Sequence, residues 1–143
     1  MDRKKRLVMI GNGMAGMKAI EDICNIAPEI FDITIFGAER YPNYNRILLS
    51  KVLSGEMQVE DIILHDEKWY QERGITLHLG RKVTEIRRGR RSVIADDGTE
   101  AQYDALIMGT GANPVMIPIP GVDKDGVVTF RSIDDCQRMM ERS

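Results

Sequence analysis

Apolar and polar positions in the first quarter of the chain follow a pattern that predicts strand, helix and strand. The apolar run Leu7-Val8-Met9-Ile10 is typical of a strand that is buried on both faces. Residues 14–26 carry apolar side chains at helical spacing, and the β-branched stretch 31–36 predicts a second, parallel strand. Together these elements predict a right-handed βαβ unit with the first strand at about 6–10.

The pattern changes period further along the chain. It predicts short helices at 47–53 and 65–73 and a strand at 75–79. Three antiparallel strands, a β-meander, are then expected at 83–88, 91–96 and 99–104. They are followed by a buried-strand pattern at 105–108, an extended proline-rich connection at 114–120 and a final helix at 133–140. The predicted fold class is therefore α/β, a Rossmann-like fold with a parallel sheet and an inserted β-meander, as one domain over residues 1–143.

A glycine-rich turn, Gly11-Asn12-Gly13-Met14-Ala15-Gly16, lies between the first strand and the first helix. At such a turn Gly11 permits the tight bend, Gly13 lets backbone approach a pyrophosphate, and Gly16 lets helix and strand pack closely. The first N–H groups of the helix and the positive end of its dipole would then face phosphates. The alternative is an ordinary structural turn, but the flanking strand and helix favour a dinucleotide site.

Glu39 follows the second predicted strand, at the distance where an acid accepts hydrogen bonds from ribose hydroxyls. Its charge would also repel a 2′-phosphate. The alternative is an exposed loop glutamate paired with Arg40.

Composition excludes several classes of function. Net charge is −2 with 43% apolar and 29% charged residues, so no global field attracts nucleic acid or an anionic membrane. The basic runs 3–6 and 87–91 are interpreted as a solvated terminus and a hairpin turn centred on Gly89. No apolar run approaches the roughly 20 residues that span a bilayer, and no signal peptide is apparent. We therefore expect a cytoplasmic protein with no nucleic-acid or membrane partner; nothing in the sequence indicates its oligomeric state.

Metal, redox and nucleophilic chemistry have no sequence signature here. Cys24 and Cys136 are far apart, and Cys24 is expected as a small buried hydrophobe in the first helix. His65 and His78 have no partner at metal-ligand spacing. We predict no metal site and no catalytic acid, base or nucleophile.

Several segments together resemble one family, the FAD-dependent pyridine nucleotide oxidoreductases with two dinucleotide folds. The resemblance covers nearly the whole chain, in the family's order: the glycine turn, Glu39, the segment 45–51, the meander, and a second glycine turn at 109–111. Within the family, the stretches 31–39 and 43–50 most resemble the NADH-dependent nitrite reductases. Rubredoxin and ferredoxin reductases are the alternative, with a more proline-rich second stretch.

The resemblance implies FAD as cofactor, with its ADP half on the first βαβ unit. The cofactor-binding residues implied are Gly11, Gly13, Met14, Ala15 and Gly16 around the pyrophosphate, Glu39 at the ribose, Asn45, Arg46 and Lys51 along the pyrophosphate and flavin, Val83 at the adenine, and Thr110 and Gly111 closing over the nucleotide. As alternatives to these roles, Val83 could equally be an ordinary edge-strand residue, and Arg46 and Lys51 could form a solvated face.

Two parts of the family pattern are absent from the sequence: a second GxGxxG for NADH and a Gly-Asp motif that completes the FAD site. We therefore expect the first segment of a longer enzyme, inactive alone. The resemblance places NADH, sirohaem and an iron–sulfur cluster in the absent remainder. The expected partner is that remainder or an electron-acceptor protein. Alternatives are a non-enzymatic nucleotide-binding module and a direct NAD-binding dehydrogenase domain, against which the inserted meander argues.

Overall fold

The structure is a computed structural model and describes residues 3–142. The domain expected over 1–143 also includes residues 1, 2 and 143, which lie outside this range. The chain forms two compact units, one made of the residues up to Tyr44 with Leu64–Gly111, the other of Asn45–Ile63 with the residues from Ala112 onward. The elements are β1 (Lys5–Ile10), α1 (Met14–Ile26), β2 (Phe31–Phe36), α2 (Leu49–Leu53), α3 (Glu67–Glu72), β3 (Thr76–His78), β4 (Val83–Arg87), β5 (Ser92–Ala95), β6 (Glu100–Gln102), β7 (Ala105–Met108) and α4 (Ile133–Glu141), with short 3₁₀ helices at Arg46–Leu48 and Val59–Ile62.

The first unit is built on a four-stranded parallel sheet of order β3-β2-β1-β7. β1 pairs with β2 from Lys5 opposite Phe31, and with β7 from Leu7 opposite Ala105. α1 provides the crossover that a parallel pair requires. The carboxyl ends of β1, β2 and β7 therefore meet at one edge, where ligands bind in open α/β sheets. The α/β fold with a parallel sheet and inserted meander is thus confirmed.

Successive residues of β1 face opposite sides of the sheet, and both sides are covered. On one side Leu7 and Met9 pack with residues of α1, β2 and α3 in a helix-side cluster. On the other side Val8 and Ile10 pack with the meander in a meander-side cluster. The helix-side cluster is Leu7, Met9, Met17, Ile20, Ile33, Ile35, Tyr70 and Ile75, and the meander-side cluster is Val8, Ile10, Phe36, Val93 and Ala95.

The meander is a three-stranded antiparallel sheet of order β4-β5-β6. The arginine-rich stretch between β4 and β5 is a turn, as predicted, but Gly89 is not the residue that takes the left-handed conformation. That residue is Arg91, with φ of +49°, whose carbonyl accepts the N–H of Tyr103. The turn between β5 and β6 contains Asp96-Asp97-Gly98, with φ of +85° at Gly98.

The second unit is helical. Leu49 and Val52 of α2, Ile62, and Ile133 and Cys136 of α4 are its buried apolar residues. α4 begins at a capping box, in which the Ser132 hydroxyl accepts the Asp135 N–H and the Asp135 carboxylate accepts the Ser132 N–H. Burial opposes ionisation of Asp135, but hydrogen bonds from Arg131 and Ser132, together with the charge of Arg138, lower the pKa of that carboxyl.

Some predicted features differ from the structure. β7 is only partly covered, and Met108 is 65% exposed. The prediction of a buried strand at 105–108 was therefore wrong. The helix expected at 65–73 begins only after Asp66, because the Asp66 carboxylate accepts the Trp69 N–H and caps it there. Cys24 is half-buried rather than buried. Within residues 3–142 no helix combines the length and apolar character needed to cross a membrane.

Candidate functional site

The tight bend of the glycine turn depends on Gly11. Its φ is +101°, and its N–H donates to the Phe36 carbonyl at 2.7 Å. A Cβ added there would overlap the carbonyl oxygen of Gly109. Both the backbone conformation and the space therefore exclude a side chain at this position.

Gly16 and Gly109 let α1 approach the ends of β1 and β7. A Cβ at Gly16 would lie 2.8 Å from Met9 Sδ, and one at Gly109 would lie 3.5 Å from Gly16 Cα. Gly109 also donates its N–H to the Ile10 carbonyl at 2.8 Å. The close packing predicted for Gly16 is thus present, and the two glycine turns of the sequence meet at one sheet edge.

Gly13 is different, because the direction in which its side chain would point is open. Its φ of −84° and ψ of 173° suit any residue, and a Cβ there would meet no atom within 4 Å. It is the N-cap of α1, and no side chain in the described part of the chain caps this helix end. The N–H groups of Met14, Ala15 and Gly16 in the first turn have no intrahelical acceptor by geometry. The end of α1 is therefore open at the Cβ position of Gly13 and presents backbone donors, which suit an anionic phosphate group.

Asn12, between these glycines, is held by two side chains that the sequence did not suggest. Its Oδ1 accepts the Tyr70 hydroxyl at 3.0 Å, and its backbone carbonyl accepts Asn43 Nδ2 at 3.0 Å. Its own Nδ2 is buried and has no hydrogen-bond partner among residues 3–142. Such a buried donor is normally satisfied by an ordered water or a ligand oxygen.

Asn43 is held in turn by His65. His65 Nδ1 lies 3.0 Å from Asn43 Oδ1, and His65 Nε2 lies 3.3 Å from Glu21 Oε1 of α1. Because Asn43 Nδ2 donates to Asn12, Asn43 Oδ1 is the acceptor of this pair, and His65 Nδ1 is the donor. The chain of contacts links α1, the loop before α3 and the glycine turn.

Glu39 lies half-buried in the loop after β2, where the sequence placed it. Its Oε2 accepts the Tyr44 hydroxyl at 2.5 Å, and its backbone carbonyl accepts the Gly80 N–H at 2.9 Å. A Cβ at Gly37 would lie 3.3 Å from Asn12 Cβ, so this loop borders the glycine turn. The Glu39 carboxylate is thus fixed in place by a neighbouring tyrosine.

Thr110 and Gly111 follow β7 and lie exposed beside the same turn. The Thr110 N atom would be 3.3 Å from a Cβ at Gly11, and Gly111 has φ of +68°. Val83 begins β4 at the edge of the meander, opposite Ala95, and packs against the meander-side cluster. The structure thus brings Thr110 to the glycine turn, whereas Val83 has the packing of an edge-strand residue.

The remaining predicted residues belong to the second unit. Asn45 Oδ1 accepts the Ile47 N–H at 3.0 Å and caps the 3₁₀ helix Arg46–Leu48. Arg46 Nη1 donates to the Arg131 carbonyl at 3.0 Å, while Lys51 is exposed on α2. Asn45 and Arg46 therefore have structural contacts of their own, which the sequence pattern did not show.

No group of three His, Cys, Asp or Glu side chains within residues 3–142 is arranged to hold a metal ion.

The chain is similar in sequence to known proteins over almost its whole length. A family model described as "Pyridine nucleotide-disulphide oxidoreductase" matches residues 5–143. The chain is 49% identical over 138 residues to the "Assimilatory nitrate reductase electron transfer subunit" of Bacillus subtilis (strain 168), covering 96% of this chain and 18% of that protein. It is 50% identical over 140 residues to "Nitrite reductase [NAD(P)H]" of the same organism, covering 98% of this chain and 17% of that protein.

A solved structure, NADH:rubredoxin oxidoreductase from Clostridium acetobutylicum, matches with a TM-score of 0.84 over 97% of this chain and 35% of its own length. At 23% identity this match shows the fold alone. The chain spans less than a fifth of each of the two Bacillus relatives, at 18% and 17% of their lengths.

Proposed function

Because this chain belongs to the pyridine nucleotide-disulphide oxidoreductase family, we propose that it binds the ADP half of FAD within a larger NAD(P)H-dependent oxidoreductase. The observation that carries the proposal is the open space at Gly13 beside the uncapped N-terminus of a 13-residue helix. A diphosphate suits this open helix end, because backbone donors and the positive end of the helix dipole favour negative charge.

In this proposal each part of the glycine turn has a separate task. Gly11 sets the bend, Gly13 leaves room for a phosphate, and the N–H groups of Met14, Ala15 and Gly16 face its oxygens. Glu39 accepts hydrogen bonds from the adenosine ribose, and its carboxylate is already oriented by the Tyr44 hydroxyl at 2.5 Å. Its charge disfavours a 2′-phosphate, so FAD is preferred over a 2′-phosphorylated dinucleotide.

Other residues enter the proposal through the family resemblance. Thr110 and Gly111 close over the nucleotide, and the Val83 backbone meets the adenine. The same resemblance assigns Asn45, Arg46 and Lys51 to the pyrophosphate and the flavin. The cationic side chains of Arg46 and Lys51 suit phosphate oxygens.

When bound, FAD would accept a hydride from a nicotinamide and release the electrons one at a time. The task of this chain's residues is to bind and orient the dinucleotide. For the whole protein we propose a cytoplasmic nitrite reductase, with NADH, sirohaem and iron–sulfur sites in the remainder. The support is 50% identity to a curated protein named Nitrite reductase [NAD(P)H].

A second candidate is delivery of electrons to a separate nitrate-reducing protein, favoured by 49% identity to an electron transfer subunit of nitrate reductase. The two candidates differ in where the terminal acceptor binds. If the full-length protein is a nitrite reductase, it should consume nitrite when it is given NADH alone. If it delivers electrons to a nitrate-reducing protein, it should need both nitrate and that added partner.

The Gly13→Ala variant tests the FAD site. An added methyl group is compatible with the local backbone but fills the space assigned to phosphate, so we expect the Kd for FAD to rise about 10-fold or more, roughly 1.4 kcal/mol or more. The free energy of unfolding should fall by only about 1 kcal/mol, since alanine is a poorer N-cap than glycine. Flavin fluorescence titration and urea denaturation measure the two quantities.

Gly89→Ala is the matched control, because Gly89 also has open space and no positive φ but lies in the β4–β5 turn. It should bind FAD like the wild type. Equal affinity of Gly13→Ala and the wild type would contradict the site. Tighter binding of NADH than of FAD would favour an NAD-binding dehydrogenase domain, and equal binding of ADP and FAD would favour a nucleotide-binding module.

A further inference from the structure

We propose that Tyr70 and Asn43 are positioning residues for the phosphate-binding turn, acting through Asn12. The inference rests on the proposed function and assigns two residues that lie outside the glycine motif. Neither side chain needs to touch the dinucleotide. Both hold the one non-glycine residue between Gly11 and Gly13, and that residue sets the direction of the following N–H groups.

The Tyr70 hydroxyl is the first support of the turn. The Tyr70 side chain lies in the helix-side cluster and is 1% exposed, yet its hydroxyl donates to Asn12 Oδ1 at 3.0 Å. The same hydroxyl accepts the Asn43 N–H at 3.3 Å. A buried hydroxyl is costly unless it is hydrogen-bonded, so its partners explain why a tyrosine is compatible with this core position. Burial raises the pKa of this phenol, which keeps it protonated and able to donate.

Asn43 is the second support, and its amide orientation is fixed from both sides. Asn43 is 1% exposed, its Nδ2 donates to the Asn12 carbonyl at 3.0 Å, and its Oδ1 faces His65 Nδ1 at 3.0 Å. A carboxylate of the same shape would have no donor for the Asn12 carbonyl. The residue type, and not only its size, is therefore required.

These contacts add restraints to a segment in which two glycines make the backbone flexible. Gly11 and Gly13 each permit backbone states that other residues avoid, so a turn containing both loses conformational entropy when it becomes ordered around a ligand. Hydrogen bonds to both the side chain and the carbonyl of Asn12 order the turn before binding. Such preorganisation increases affinity by reducing the ordering cost at binding.

The experiment is a double-mutant cycle on FAD affinity in the full chain, using Tyr70→Phe, Asn12→Ala and the double variant. Tyr70→Phe keeps the ring in the core and removes only the hydroxyl. We expect each single variant to raise the Kd for FAD about 5- to 20-fold, the range of one or two lost hydrogen bonds. The double variant should be no weaker than Asn12→Ala alone, because Tyr70 acts through Asn12.

Asn43→Asp is the isosteric companion and should weaken FAD binding by a similar factor. Tyr103→Phe is the matched control; Tyr103 packs against the meander-side cluster, outside this network, and its variant should bind FAD like the wild type. Amide hydrogen exchange of residues 11–17 in the ligand-free chain gives a second readout. Exchange there should be faster in Tyr70→Phe than in Tyr103→Phe, and this measurement does not depend on FAD.

Additive effects of Tyr70→Phe and Asn12→Ala would overturn the proposal, as would wild-type affinity and unchanged exchange in Tyr70→Phe. If Tyr70→Phe does not fold, Asn43→Asp and Asn12→Ala decide through the same two readouts. Failure of the proposed function looks different: the wild type itself would not bind FAD, while exchange at residues 11–17 would still respond to Tyr70→Phe.

Discussion

Gly11 and Gly13 are two positions apart and place opposite demands on a side chain. At Gly11 the protein itself excludes one, through a φ of +101° and contact with the backbone of Gly109. At Gly13 the backbone conformation is ordinary and the position that a Cβ would occupy is open. The first glycine is therefore required for folding, and the second for the ligand that we propose.

Gly11→Ala should destabilise the fold by about 3 kcal/mol or more, because a left-handed alanine costs about 1–2 kcal/mol and the clash with Gly109 adds to it. Gly98→Ala is its control, since Gly98 has a φ of +85° but no atom within 4 Å of its Cβ position. Only the conformational cost, about 1–2 kcal/mol, is expected there. Urea denaturation compares the two, and equal losses would contradict the role given to Gly109.

The spacing of Gly11, Gly13 and Gly16 was visible in the sequence because it is local and its residue type is distinctive. The supports of Asn12 were not visible, since Asn43 and Tyr70 lie 31 and 58 residues away. Asparagine and tyrosine carry no signal of such pairing before the fold brings them together. The capping role of Asn45 could have been found, because an asparagine that precedes a short helix is a common N-cap.

At the scale of elements, the predictions succeeded where the pattern was long. The bounds predicted for α1 and β2 coincide with the observed Met14–Ile26 and Phe31–Phe36. The 3₁₀ helix Val59–Ile62 was missed, since its 4 residues are too few to show a helical period. Arg91 was missed as the left-handed turn residue because an arginine gives no sign of positive φ in a sequence. A glycine, such as Gly89 two positions earlier, is the residue that normally indicates it.

The amino end of the β1–β7 pair is held by Arg6 and Asp104. The Arg6 guanidinium donates to both Asp104 carboxylate oxygens, at 3.0 and 2.8 Å, and its backbone N–H donates to Oδ2 at 2.8 Å. The side-chain hydrogen bonds from Arg6, followed by the one from its backbone, hold the pKa of Asp104 far below its usual range. The contacts join positions 98 residues apart, and so tie the first strand to the last strand of the sheet.

Asp104→Asn should lower the melting temperature by a few degrees at neutral pH. Because the pKa of Asp104 is depressed in the folded state, its contribution is fully present above the unfolded pKa of about 4 and is lost as pH falls through the folded value. The difference between wild type and variant should therefore be constant above about pH 5 and shrink below about pH 4. Thermal denaturation between pH 3 and 8 checks it, and a difference that grows in acid would contradict the ion pair's role.

At the scale of the whole molecule, the four-stranded sheet is covered by helices on one face and by the meander on the other. This arrangement leaves the carboxyl ends of the strands, with both glycine turns, as the edge available to a ligand. Family membership and fold could be predicted from the sequence because several motifs occur in order. The division into two compact units could not, since its contacts are non-local.

FAD should stabilise the chain against heat. A ligand that binds only the folded state at 100 times its Kd adds about 2.7 kcal/mol, which for a chain of this length raises the melting temperature by about 10 °C. Riboflavin, which lacks the ADP half, should have little effect, and Gly13→Ala should reduce the shift produced by FAD. Circular dichroism during heating measures these shifts, and an equal shift with riboflavin would count against the proposed binding mode.

The two ends of the β1–β7 pair have a consequence for how the sequence can change over evolution. Arg6 is joined to Asp104 at one end, Gly11 packs on Gly109 at the other, and Leu7 to Ile10 pair with Ala105 to Met108 between them. The same number of residues separates the two fixed points in each strand. Substitutions inside the strands leave this equality intact, whereas a single-residue insertion or deletion in either one separates one pair. The lengths of two segments that are remote in the gene are therefore constrained jointly, and only a matched pair of length changes would preserve both ends.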